Sequence, residues 1–527
     1  MNRRQNQVLR FEEPSPHDTN IALPHTSSTD SLPDIANDNS SKLDELLRKY
    51  RIDGEKERFW TTELLRRILT EERVLAELRG CLSSSASNLQ RFADLICADP
   101  RNTESQTYLK VFSILLLVGK PGEIGKFVDA QLCDDKLPVV VLDAVEASLC
   151  LGTAPKEPLR TFAPWKISER ELFESTQWQV LVPVFERNAD KTFKDYDLPP
   201  QTILPWCKRS KQHQISASQS GRVGQGAFAE VSLVRIHPTA HAFHNILREI
   251  NLEGRVFAVK KLSKRDCNNQ AKFRQELNQL MRFSGLVHSH LVTLLCTFTF
   301  RDQYHFIFPL ANCDLEEFWN ETELSWDVST ARWASKQLLG IMGALDTIHN
   351  PNHLTHDPEK RFGRHGDIKS DNILCFTSNN ASKDKILVIS DFGLSSFNRY
   401  ISRSNIPNKA VPPVPGYRPP ECDLLGGTVS RAFDIWTMGC LYLEFVTWLL
   451  GGKKYRKDFE RQRTTQYITG ANNDIFFALK KTENQRGHVA QVKPEVTNWI
   501  NALRQDPKCS KFILDVLDIV TVQQITD

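Results

Sequence analysis

Residues His365 to Leu374 read HGDIKSDNIL, and the string Ser390-Asp391-Phe392-Gly393 follows them. A carboxylate, an amide five residues later and a second carboxylate further on form an order of groups suited to phosphoryl transfer from ATP. In that reading Asp367 orients the attacking hydroxyl. Asn372 and Asp391 hold the Mg²⁺ ions that neutralise the phosphates. The D-x-K-x-x-N string alone recurs by chance, so its weight depends on the residues around it.

Upstream, Val223-Gly224-Gln225-Gly226-Ala227-Phe228-Ala229-Glu230-Val231 has the spacing of a phosphate-covering loop, whose glycines let backbone approach the phosphates. Dinucleotide-binding folds use the same spacing, but there the third small residue opens a helix. Here VSLVRI follows, and its β-branched residues without a helix cap predict a strand. Val256-Phe257-Ala258-Val259-Lys260 predicts another strand. Its ammonium, flanked by apolar residues, needs an anionic partner, which a phosphate supplies. The string FRQELNQL, which follows, contains the carboxylate of Glu276.

Joined in this order, the motifs resemble those of a eukaryotic protein kinase over about residues 215 to 520. The resemblance implies an α+β, bilobal kinase fold, with a small β-rich N-lobe and a larger helical C-lobe. It implies ATP and Mg²⁺ as cofactors and a protein hydroxyl as acceptor. Asp367 and Lys369 are then catalytic, with Lys260 and Glu276. Lys369 at that offset resembles the serine/threonine-directed members. Val223, Gly224, Gly226, Val231, Ala258 and Lys260 would cover the nucleotide. Leu374 would form the floor of the adenine pocket. Tyr304 to Ala311 would supply the hinge, with Phe308 guarding the back of the pocket and Leu310 and Ala311 beside it. Val414 to Glu421, VPGYRPPE, is similar to the end of a kinase activation segment. Asp434 to Gly439, DIWTMG, is similar to the buried helix beneath the catalytic loop, with Asp434 bonding backbone amides near His365.

Three departures matter. Gly366 stands where most kinases have an arginine that pairs with an activation-segment phosphate. Control by phosphorylation of Ser395, Ser396, Ser402 or Ser404 is therefore not expected. Val414 replaces a usual threonine. Phe512 to Val520 resembles the penultimate C-lobe helix, so the chain is expected to stop short of the final ones and of the arginine that usually pairs with Glu421. Val414 and this shortened lobe favour the alternative of a catalytically weak pseudokinase scaffold. A small-molecule kinase of similar fold is a third class, disfavoured by the recognisable activation segment.

The rest of the chain is less specific. Residues 1–40 are rich in Ser, Asn, Asp, Pro and Thr and predict a disordered tail. Residues 41–190 predict an all-α domain, with helices after Thr61 or Thr62, over 88–98, over 108–118 and from near Glu123. Residues 191–214 read as a Pro-rich, basic linker, leaving 215–527 for the kinase domain. Together with GRHGDIK and the Phe308-Pro309 hinge, the helical region ending in QWQVLVPVF resembles a group of kinases from filamentous ascomycete fungi. The helical domain would have an intramolecular or protein partner.

A net charge of +3 makes no case for nucleic acid or membrane. The twelve cysteines form no C-x-x-C pair. No signal peptide is apparent, and the apolar runs near 111–118 and 139–142 are too short to span a bilayer. An intracellular protein, in cytoplasm or nucleus, is expected. The basic run KKYRKDFERQR, Lys453 to Arg463, reads as a solvated face.

Overall fold

The structure is a computed structural model that describes most of residues 42–525, together with Ile35 and Asp38; the longest stretches outside it are 1–34, 99–105, 209–221, 264–273, 281–287, 351–361, 399–405 and 408–415. The N-terminal region is helix-rich. Thr61 accepts the Leu64 N–H through its hydroxyl and starts the helix Thr62–Ile68. A break at Leu69 and Thr70 precedes Glu71–Cys81, so one expected helix is two. Ser85 caps Ala86–Cys97, and Leu109–Leu117 follows as the apolar central helix. Their leucines and valines close one core with Phe127, Phe162, Trp165 and Phe173.

Two expectations for this region need correction. It is not all-α: Val139–Asp143 pairs with Ser148–Leu151, and Ile52–Asp53 with Arg58–Phe59. The β-branched run VVV suits a strand. The fully buried Gln177 amide also completes it like a neighbouring backbone, donating to Val139 O at 2.7 Å and accepting from Val139 N at 2.9 Å. Nor does the expected tail lie wholly outside the fold. Ile35 is 3% exposed in the core, and the Asp38 carboxylate accepts from Tyr50 at 2.6 Å.

The first lobe is a six-stranded sheet. In spatial order its strands are Lys194–Leu198, Cys296–Phe300, Gln303–Pro309, Val256–Ser263, Ala229–Arg235 and Arg222–Gly226. The first of these falls in the stretch expected as a linker. Lys194–Leu198 pairs in parallel with Cys296–Phe300, and Thr297 donates to Asp195 at 2.7 Å. The Tyr196 hydroxyl donates to Val184 O and accepts from Glu186 N, fixing the strand to the chain before it. Phe185, delivered by the QWQVLVPVF run, stacks on Trp206 at 5.7 Å and meets Phe298 at 5.4 Å. Phe185, at the end of the N-terminal region, is therefore part of the first lobe's core, while the N-terminal helices keep a core of their own.

The second lobe is helical. Leu315–Glu321, Val328–His349, Pro494–Arg504 and Lys511–Ile525 surround Ala432–Arg463, which changes direction at Gly452 (φ 61°). This central helix is long and apolar enough to cross a membrane, but 94% of its apolar window is buried inside the protein. A three-stranded sheet, Cys313–Asp314, Ile373–Thr377 and Lys385–Ile389, lies at the lobe junction and carries the loops described next.

Candidate active site

The loop from His365 to Asn372 is shaped from below by one buried carboxylate. Asp434, 0% exposed, accepts the backbone N–H of His365 at 2.7 Å and of Gly366 at 2.8 Å, and meets His349 Nε2 at 2.8 Å. Burial alone would push its pKa up. The His349 hydrogen bond and the surrounding charges and amides outweigh that, and the carboxyl is held below its ordinary value. Gly366 turns here with φ 83°, a left-handed conformation that glycine adopts without strain. His365 Nδ1 accepts from Asp367 N, so its Nε2 carries the proton donated to Ser390 O at 2.9 Å. Ser390 in turn donates its N–H and its hydroxyl to Asn372 O. The two motif loops are stitched together by these bonds.

Asp367 is 9% exposed. Asn372 Nδ2 donates to its Oδ2 at 2.7 Å and to its backbone O at 2.8 Å, and Lys369 Nζ lies 3.1 Å from the same Oδ2. Asp391 takes a left-handed φ of 60°, uncommon for a residue other than glycine. Its side chain is 49% exposed, and Oδ1 lies 3.6 Å from Lys260 Nζ. The structure thus brings Lys260 and Asp391 together, and gathers Asp367, Lys369 and Asn372 around one carboxylate. The donors left for Mg²⁺ are oxygens, the Asp391 carboxylate and the Asn372 amide. One carboxylate plus phosphate oxygens is an ordinary set for that ion, so these residues fit it.

Strand register lines the nucleotide cleft. Val231, Lys260 and Phe306 are partners across three strands; so are Leu233, Ala258 and Phe308 in the next row. Alternation puts both rows on one face, and the Phe306 and Phe308 rings stack at 6.1 Å. Leu310 and Ala311 follow that strand, half-buried. Leu374 pairs with Asp314. Val223, Gly224 and Gly226 lie in a hairpin arm closed by the Gly226 and Ala229 pair. Glu276, Phe392, Val414 and the side chains of Ser395, Ser396, Ser402 and Ser404 lie outside the described residues.

A profile of the protein kinase domain matches residues 218–520. This chain belongs to the protein kinase family. It is 31% identical over 163 residues to the CTD kinase subunit alpha of Schizosaccharomyces pombe, across 31% of this chain and 24% of that protein. It is 23% identical over 202 residues to cyclin-dependent kinase 2 of Caenorhabditis elegans, across 38% and 50%. Mitogen-activated protein kinase 13 of Arabidopsis thaliana shares 23% over 273 residues, across 50% and 67%. The chain thus spans about a quarter to a half of the first two relatives.

Several residues at this kinase site escaped the sequence reading. Asp314 caps Leu315–Glu321, accepting Glu317 N at 2.8 Å beside the pocket floor. His349, the last residue of Val328–His349, lies sixteen residues before the motif it supports through Asp434. Arg463, from the run read as a solvated face, is instead buried on Glu444, and Arg456, from the same run, is half-buried on Glu316. Their positions depend on the bend at Gly452, for which the sequence signal was the Gly451-Gly452 pair. Arg364 lies buried over the Phe433 ring at 5.5 Å, where burial lowers its pKa and the fields of Asp434 and Glu421 oppose that.

Proposed function

We propose that this protein is a serine/threonine protein kinase that transfers the γ-phosphate of ATP to a protein hydroxyl. The observation that carries the reading is the joined pair of loops. Asp367, with Lys369 and Asn372 on its carboxylate, is hydrogen-bonded through His365 to Ser390, the residue preceding Asp391. Bound Mg²⁺, held by Asn372 and Asp391, would neutralise phosphate charge. The chain's own groups do the rest. Lys260 holds the phosphates from the sheet side. Asp367 accepts a hydrogen bond from the incoming hydroxyl and orients its oxygen, while Lys369 sets the position of that carboxylate. Bringing the reacting groups into line and stabilising the phosphate charge are the contributions such a site makes.

Relatives named as cyclin-dependent kinases raise the question of a partner subunit. In this chain Phe185, at the end of the N-terminal region, packs against Phe298 of the first lobe, and the stretch that follows it supplies that lobe's edge strand. That supports an intramolecular partner. Radiolabelled phosphate transfer to a generic basic protein tests the reading. Transfer by the wild type and none by Asp391→Ala supports a kinase; nucleotide binding without transfer under varied divalent metals supports the pseudokinase alternative.

A further inference from the structure

Arg456 lies at the centre of an ionic chain that joins two active-site segments. Its guanidinium forks onto Glu316, Nη1 donating to Oε1 at 3.1 Å and Nη2 to Oε2 at 2.6 Å. Nη2 also donates to Glu444 Oε2 at 3.3 Å. At one end Ser370 Oγ donates to Glu316 Oε2 at 2.9 Å. At the other the Tyr417 hydroxyl donates to Glu444 Oε2 at 2.9 Å. The Arg456 side chain is only 12% exposed and covers the Trp319 ring at 4.2 Å.

This meeting requires the bend at Gly452. Twelve residues separate Glu444 and Arg456, which in a straight helix would stand about 18 Å apart. A side chain on Gly451 would strike the Tyr455 ring, and Gly452 takes φ 61°. The glycine pair therefore turns the basic end of the helix back onto its own apolar half.

Ser370 opens the turn Ser370–Asn372, which spaces Lys369 and Asn372 around Asp367. Tyr417 lies four residues before Glu421, in the segment expected to face the acceptor protein. Burial opposes ionisation of Glu316, and its bonds to Arg456, with those to Ser370 and Asn320, more than offset that and keep the carboxyl low. Glu444 has a second cation in Arg463; Glu316 draws its fork from Arg456.

We infer that Arg456 is a positioning residue, holding the Ser370 turn and Tyr417 in one frame so that Asp367 and the acceptor segment stay aligned. The inference rests on the kinase reading and deepens it. The experiment compares the full wild-type chain with Arg456→Met, Arg456→Lys and Ser370→Ala. Hydrogen–deuterium exchange is followed over residues 365–374 and 416–421, with 256–263 as reference, beside transfer kinetics. In Arg456→Met we expect exchange in both segments to rise by about fivefold or more with the reference unchanged. The turnover number should fall about tenfold, with KM for ATP within about twofold. Arg456→Lys, which cannot fork, should lie between. Adding Ser370→Ala to Arg456→Met should slow turnover little further.

Unchanged exchange in the two segments, or faster exchange in the reference strand as well, would overturn the inference. So would additive effects of the two substitutions. If the wild type transfers no phosphate, the kinase reading fails, and the exchange pattern still decides whether Arg456 couples the segments.

Discussion

Asp434 and Glu444 are buried carboxylates on one helix, and they are held by opposite means. Asp434 meets two backbone amides and His349; Glu444 meets Arg456, Arg463 and the Tyr417 hydroxyl. The first arrangement is made of backbone from a neighbouring loop, so it depends on loop shape and little on side-chain identity. The second is made of long side chains that reach Glu444 only because the helix bends. A carboxylate held by amides fixes a conformation. One held by guanidinium groups fixes a relation between segments, and its energy is a balance between large desolvation and large attraction.

The comparison predicts the larger loss at Asp434. Asp434→Asn places a donor where an acceptor is required, leaving a buried amide without its bond. We expect about 3 kcal/mol of lost stability and turnover lower by about a hundredfold, or about 2.7 kcal/mol of barrier. Chemical denaturation and transfer assays measure both. The folded pKa of Asp434 is lowered, so its contribution is present above the ordinary carboxylate range near about 4 and is lost as pH falls through the folded value. The asparagine variant should lack that part of the acid limb. Equal stability of wild type and variant at pH 7 would break the comparison.

Glu444→Gln should cost less, about 2 kcal/mol. Arg463 keeps Asp474 at 3.5 Å, and Arg456 keeps its fork on Glu316. Denaturation midpoints of the two variants, measured side by side, test the ranking. A Glu444→Gln loss larger than that of Asp434→Asn would mean that the guanidinium cluster, not the amide cradle, anchors the catalytic loop.

The same contrast explains what the sequence made legible. The catalytic loop, the Lys260 strand and the Asp434 contact depend on residues close together in the chain or on backbone, so local pattern carries them. Helices of the N-terminal region were readable from Leu and Ile spacing and from Thr61 as a cap, whereas the Ser85 cap was not anticipated. Strand Lys194–Leu198 was not, because KDYDL is short and charged, and its partner Cys296–Phe300 lies about a hundred residues away. The roles of Arg456 and Arg463 were hidden for a similar reason. A basic run looks solvated until a bend elsewhere decides which of its members turn inward. The buried run from Cys440 to Leu450 was overlooked as the most apolar stretch because Glu444 interrupts it.

Gly366 lies between these extremes, since its amide belongs to the Asp434 cradle while its missing side chain is a matter of conformation. With φ at 83°, Gly366→Ala should cost about 1 to 2 kcal/mol through left-handed strain. The site is buried, yet the amide bond to Asp434 survives the substitution. Turnover should therefore fall by less than tenfold, about 1.4 kcal/mol, well short of Asp434→Asn. A drop as large as that of Asp434→Asn would show that the alanine displaces the loop from its cradle.

The smallest effect is expected from the activation segment. Gly366, not an arginine, stands immediately before Asp367, so an arginine and phosphate pair at that position cannot order the segment. Arg364, whose backbone pairs with that of Ser396, is the obvious replacement. Its guanidinium is already buried over Phe433 in the field of Asp434 and Glu421. Drawing it out to a phosphate would strip two carboxylates of a cation. Replacing Ser395, Ser396, Ser402 and Ser404 together with alanine should then leave the turnover of phosphatase-treated and untreated protein within about tenfold of wild type, or about 1.4 kcal/mol. A larger fall in untreated protein alone would show that some cation does read a phosphate there. Testing Arg364→Lys against the same four-serine variant would then decide whether Arg364 leaves its carboxylates to do so.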